Sequence, residues 1–302
     1  MSLSFMSLLP GIDRGLKNMR AECGFLGCHN KQLLRSIPGS RLGINVGPLW
    51  YCCVDCFSLA ARVPLASLSS RRSFESPRLP RLPLGLALLS KGYLTAYDLR
   101  AVTAKNHADE EELASTLIRL RLVTEKQIAT ARSAQWGYPV FAQDFVDQVI
   151  RLDIPRVLLE ACSAAPLHFS ATAKRVLMGF VHRIEHSVLE SIEQMTGYRV
   201  EPCFITPRDC EEQIERTSSS EEYEEMVVDE PGTPEKMART VGRAAVDIGA
   251  REASFTQCKN HVWVRITGKR GKVDVIFRPH RTPAEVESEK IEIFPGATAI
   301  LG

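Results

Sequence analysis

From Leu84 onward, hydrophobic positions recur with a helical period. Leu84, Leu88 and Leu89 fall on one face, Gly92 is placed to end that turn, and Thr95 is placed to cap a following helix that carries Leu99 and Val102. The pattern then returns. Leu113, Leu117, Leu120 and Leu122 lead to Thr124, which caps a helix carrying Ile128 and Ala131 until Gly137 and Pro139 end it. Gly92-Tyr93-Leu94-Thr95 superposes on Arg121-Leu122-Val123-Thr124, an internal repeat offset by 29 residues that predicts a pseudo-symmetric pair of helical hairpins.

Beyond Pro139 the pattern mixes periods. Ile154–Ala161 reads as a short helix, Pro166–Ala171 and Arg175–Val181 as strands, Glu185–Met195 as an amphipathic helix and Tyr198–Ile205 as a strand. Thr206-Pro207 opens a last helix, with Thr as cap and Pro at the first helical position. The order α-β-β-α-β-α predicts an α+β fold in which helices cover one face of a small sheet. Pro, Ser and Arg without periodicity mark a linker at 63–83. A Ser/acid run marks another at 217–234, ahead of a short module at 235–279, and 280–302 reads as a flexible tail.

Composition changes this picture little. Hydrophobic residues at 44%, charged at 25% and aromatic at 7% of 302 residues are ordinary globular usage, with room for two modules. The net charge of +2 is segmental: Met1–Pro83 holds eleven Lys/Arg against four Asp/Glu, and Ser218–Glu235 holds seven acids and no base. No apolar run is long enough to span a membrane, and the first residues lack a basic region ahead of an apolar core, so a cytoplasmic protein is expected. Nine cysteines, an odd number without an export signal, point to reduced thiols or metal ligands.

Five of those cysteines lie in the first 56 residues. Cys23-x4-Cys28 and Cys53-x2-Cys56 are two pairs separated by 24 residues, the way a chain delivers four thiolates to a tetrahedral structural zinc. The segment 20–62 is too small and basic to build much core alone, so a metal knuckle there would explain its folding. His29 and Cys52 adjoin the pairs and leave the final set open, although Cys53 keeps the Cys-x-x-Cys spacing. No acid or base stands ready beside them for catalysis. The basic charge permits nucleic-acid contact, but Trp50 and Tyr51 are the only neighbouring large aromatics with polar handles, so nucleic acid is not the expected partner. His182-Arg183-Ile184-Glu185-His186 matches an inverted zincin pattern but straddles a predicted strand–helix junction. Cys162, Cys203, Cys210 and Cys258 read as isolated small apolar residues, and Glu221–Glu225 as a solvated spacer.

Three stretches carry a resemblance: LGLALLSKGYLTAYDL, LIRLRLVTEKQIATARSAQWGYP, and the run from Asp153 to Ile214 with its Met-Thr-Gly-Tyr helix end and Arg-Val-Glu-Pro strand. Over about residues 83–216 the chain resembles the amino-terminal domain of type II secretion and type IV pilus assembly ATPases, the GspE/MshE amino-terminal family. The resemblance implies that Pro234–Gly249 is the helix of a second small domain and that Ala253–Cys258, His261–Thr267 and Lys272–Phe277 are its strands, with GKRGK at Gly268–Lys272 as a hairpin turn. It also implies an adaptor that contacts protein partners of a secretion or pilus assembly. No G-x-x-x-x-G-K-[ST] occurs in these residues, so ATP hydrolysis is not expected and the chain reads as non-enzymatic.

Some members of that family bind cyclic di-GMP through two leucine-rich repeats, each opened by an arginine. The matching positions here are Leu84, Gly85, Leu88 and Gly92 in the first repeat, and Leu113, Leu117 and Gln135 in the second, with Arg81 or Arg121 as a compensating cation. Pro83 and Glu112 stand where the recognition arginines belong, and Asn106 stands where the first closing Gln belongs. A carboxylate facing a phosphate repels it, so these leucines are expected to pack the hairpins together, with dinucleotide binding as the rival reading.

Overall fold

A computed structural model describes residues 20–33, 43–70, 81–104, 109–141 and 150–279. The tail at 280–302, most of the 71–83 stretch and Asn106 therefore lie outside the described residues.

The helical pair forms as its pattern predicts. Helices α2 (Leu84–Ser90), α3 (Ala96–Thr103), α4 (Glu110–Arg119) and α5 (Glu125–Trp136) enclose a small core of Leu84, Ala87, Leu88, Leu94, Leu117, Val123 and Ile128. Thr95 and Thr124 each close a capping box, with Asp98 and Gln127 as reciprocal partners. The internal repeat is a backbone repeat: Tyr93 N donates to Leu88 O, and 29 residues later Leu122 N donates to Leu117 O. Gly92 at φ 68° and Arg121 at φ 56° hold the same left-handed position.

Next come α6 (Arg156–Cys162), β5 (Ala164–Ser170), β6 (Arg175–Phe180), α7 (His186–Thr196), β7 (Arg199–Phe204) and α8 (Pro207–Arg216), the order read from the sequence. The sheet runs β5-β6-β7, antiparallel then parallel. Thr206 caps α8 and Pro207 opens it.

Two expected linkers prove to be structural elements. Helix α1 (Val54–Ser70) continues through Pro64, well into the stretch read as a linker from residue 63. Pro64 forgoes a backbone donor, but Phe57, Ala61 and Leu65, spaced four apart, bury one face of the helix in the core shared with α9 (Pro234–Ile248), and that packing overrides the local penalty. At Gly242 of α9 an added Cβ would collide with the Ser58 side chain, so glycine lets the two helices approach. The acidic stretch at 217–234 contains β8 (Tyr223–Val228), a strand whose backbone pairs with Lys272–Phe277 whatever its charge. Glu225 is no spacer residue: its carboxylate accepts from the N–H groups of Arg156 and Val157 and caps α6.

The amino-terminal knuckle and the carboxy-terminal module are not separate. Strands β3 (Ile44–Val46) and β4 (Leu49–Tyr51) join β9 (Ala250–Cys258), β10 (His261–Gly268), β11 (Gly271–Phe277) and β8 in one mixed six-stranded sheet of order β4-β3-β9-β10-β11-β8. Lys269-Arg270 is the hairpin turn expected of GKRGK. Val262, Val264 and Ile266 of β10, with Val273, Val275 and Phe277 of β11, face α1 and α9. Trp263 and Ile276 face the α/β unit on the other side. A sheet covered on both faces reads as a continuous apolar run, which is what β10 shows.

Candidate functional site

The four thiols that converge are Cys23, Cys28, Cys52 and Cys56, with their sulfurs all within 4.8 Å of one another. Cys23 and Cys28 bracket the turn after β1 (Arg20–Glu22), before β2 (Lys31–Leu33); Cys23 N donates to Asn30 O and Cys28 N to Phe25 O. Gly24 N donates to Trp50 O, docking this knuckle on β4. Cys52 follows β4, and Cys56 lies in the first turn of α1. Sulfur separations of 3.6 Å (Cys28–Cys52) and 3.7 Å (Cys52–Cys56) match the spacing of about 3.8 Å that a tetrahedral zinc with Zn–S bonds near 2.3 Å imposes.

Among the sequence candidates, Cys53 does not join this cluster. It immediately precedes α1 and is exposed, with the N–H groups of Cys56 and Asp55 directed at its sulfur, and those donors hold its pKa below the ordinary thiol value. Cys53 therefore plays the part of a helix cap, and its neighbour faces inward. His29 is exposed and outside the cluster.

The four clustered thiols do not share one acidity. Burial pushes the Cys23 thiol up, but the N–H groups of Cys52 and Phe25 outweigh it and leave the pKa lowered. Burial and the Cys28 thiol push Cys52 up to about 11, and burial with the surrounding sulfurs raises Cys56 further. Four thiols in one place favour a cation that displaces their protons, and a soft divalent ion suits an all-sulfur set. Every ligand position of a four-coordinate zinc would be filled by protein, the arrangement of a structural site.

The second candidate surface is built differently. Leu84, Leu88 and Leu117 are fully buried within the helical pair, Leu113 packs against them, and a Cβ on Gly85 would meet Leu99. Gly92 and Arg121 serve the two equivalent turns. Gln135 Nε2 donates to Leu82 O at 2.8 Å and to Glu110 at 3.0 Å, while Glu110 Oε1 accepts from Leu84 N at 2.9 Å. The α2 N-terminus, an anion-favouring position, is thus already met by a carboxylate of this chain. The Arg81 guanidinium lies 3.3 Å from the centroid of the Trp136 ring. Sequence reasoning singled out Glu112; it missed Glu110, whose role depends on a contact 26 residues away.

The remaining candidates separate. His182 follows β6 and His186 opens α7, so the inverted zincin pattern is broken across two elements. Burial pushes the thiols of Cys203 and Cys210 up to about 12, as befits core residues. Cys162 and Cys258, read from sequence as isolated, approach to 3.8 Å between sulfurs.

The central region thus has the class of architecture expected of an ATPase amino-terminal domain, a helical-hairpin pair followed by a small α/β unit, and it resembles that domain of the secretion and pilus ATPases. In particular, it is similar to the type IV pilus assembly ATPase PilB of Thermus thermophilus, 27% identical over 125 residues that make up 41% of this chain and 14% of PilB. The chain therefore matches about one seventh of that relative's length. Solved structures similar to it include the N-terminal domain of XpsE (19% identity, 45% of this chain and 93% of that one, TM-score 0.35). Another is MshE with cdg (17% identity, 46% and 100%, TM-score 0.36). With TM-scores that low, the resemblance rests on sequence. No protein-family profile matches the chain.

Proposed function

We propose that this protein is a non-enzymatic adaptor for a type II secretion or type IV pilus-like assembly, carrying a structural zinc that fixes its amino-terminal knuckle to the carboxy-terminal sheet. The observation that carries the adaptor reading is the PilB likeness, which takes in 125 residues and about one seventh of that ATPase, together with a helical pair whose leucines are spent on its own core. Glu110 at the α2 N-terminus and the absence of the two repeat-opening arginines weigh against a dinucleotide ligand. Binding to purified inner-membrane assembly proteins of such a system, measured by co-purification and abolished by surface charge reversals on α3 or α8, is the expected result. ATP turnover by the full chain, or calorimetric binding of cyclic di-GMP at micromolar concentration, would overturn the reading.

The zinc is supported by the sulfur geometry and tested by metal analysis. Protein purified from zinc-containing medium is expected to hold about one equivalent. C52S and C56S lose it, and C53S keeps it. Retention by C52S with loss by C53S would show that the Cys-x-x-Cys spacing, and not the sulfur cluster, defines the site.

A further inference from the structure

We propose that Cys162 and Cys258 form a second, redox-active site, a dithiol that oxidises to a disulfide and locks the α/β unit onto the six-stranded sheet. The thiols end α6 and β9 respectively, 96 positions apart in the chain, with sulfurs 3.8 Å apart. Bonding at about 2.05 Å requires the two side chains to turn toward each other from that separation. The approach is held from the backbone side: Lys259, at φ 54° in the two-residue turn after β9, extends its ammonium to Ala161 O, beside Cys162.

The two thiols differ in access, and this sets their roles. Cys258 is 1% exposed and sealed in the core. Cys162 is half-buried and lines a partly open cleft of about 110 Å³ shared with Glu111, His182, Arg183 and Lys259. Cys162 is therefore the attacking thiol and Cys258 the resolving one. The oxidant class is a low-molecular-weight disulfide. The Cys162 thiolate attacks one of its sulfurs, the reagent's S–S bond breaks, and one small thiol leaves with a proton. Cys258 then attacks Cys162 in the mixed disulfide, expelling the second small thiol. In sum, two electrons and two protons pass from the protein thiols to the reagent. Lys259 and Arg183 line the cleft together with Glu111 and Glu185, and the two cations can meet the carboxylates of a reagent such as oxidised glutathione. The thiol geometry carries this inference independently of the adaptor reading.

The test uses the reduced full chain with zinc present, so that the amino-terminal thiols stay occupied. After equilibration with oxidised glutathione, free thiols are alkylated and the digest is read by mass spectrometry. A peptide pair joining Cys162 to Cys258, forming ahead of any other link and absent from C162S, is the expected result, with slower amide exchange in α6 and the β9–β10 turn of the oxidised protein. Because C258S removes a core thiol and could fail to fold, the wild-type linked peptide is the primary readout. Recovery of both residues alkylated after equilibration, or a link that appears only in urea-unfolded protein, would overturn the proposal.

Discussion

The α/β unit and the six-stranded sheet are closed in different ways. All strands of the first come from Ala164–Phe204, and its neighbours in space are close in sequence. The second takes β3 and β4 from residues 44–51, β8 from 223–228 and the rest from 250–277, so its edge strands β4 and β8 come from segments far apart in the chain. One unit is a local product; the other exists only when distant segments meet. The difference teaches where the molecule is joined. Arg265 of β10 donates to Met195 O and Asp153 O in the α/β unit and forms a buried ion pair with Asp274 at 2.7 Å, while Lys272 of β11 reaches Asp153 at 2.8 Å.

Breaking that joint has the largest expected effect. Asp274 is completely buried and also accepts from the Tyr223 hydroxyl at 2.9 Å, so Asp274→Asn leaves the Arg265 charge buried without its carboxylate. The cost is about 3–5 kcal/mol, read as a lowered urea midpoint. If the two units form one cooperative body, their amide exchange accelerates together. Exchange that rises only in the six-stranded sheet would mean the local unit stands alone.

Acid provides the next contrast, because it acts on the sheet at a defined point. His261 opens β10 with its Nδ1 buried and without a hydrogen-bond partner among the described residues; burial, then Arg278 and Lys259, hold its pKa down at about 4, against 6.5 ordinarily. Between those values the unfolded chain binds more protons than the folded one. Stability therefore falls as pH drops through about 6 and the loss is complete below about 4, amounting to roughly 2 kcal/mol after allowance for residual screening. His261→Gln removes that portion of the slope. An unchanged slope in the variant would place the acid sensitivity elsewhere, in the thiol cluster first of all.

Legibility in the sequence divides along the same line. The caps at Thr95, Thr124 and Thr206, the turns at Gly92 and Gly137, and the α-β-β-α-β-α order were all readable, because each depends on residues a few positions apart. The helical span past Pro64 and the strand inside the acidic run were not readable. Pro and Glu vote against those states locally, and only burial against α9 or pairing with β11 outvotes them. The metal candidate shows the same division at atomic scale. Spacing identified the two cysteine pairs, but choosing Cys52 over Cys53 depends on where α1 begins and which sulfur its first N–H groups engage.

The smallest effect sharpens the comparison within the helical pair, where one backbone site occurs twice. Gly92 and Arg121 occupy the same left-handed turn, yet only glycine does so without a Cβ clash against its own backbone. Arg121→Gly is expected to raise stability by about 0.5–1 kcal/mol, since strain relieved in the fold exceeds the extra freedom given to the unfolded chain. Gly92→Ala is expected to lower it by about 1 kcal/mol. Nothing lies within 4 Å of the added methyl, so that loss would report backbone strain alone. Thermal melts of the two variants should therefore shift in opposite directions by similar amounts. If Arg121→Gly instead destabilises, the arginine side chain holds a contact worth more than the strain, and the two hairpins are equivalent in backbone but not in use.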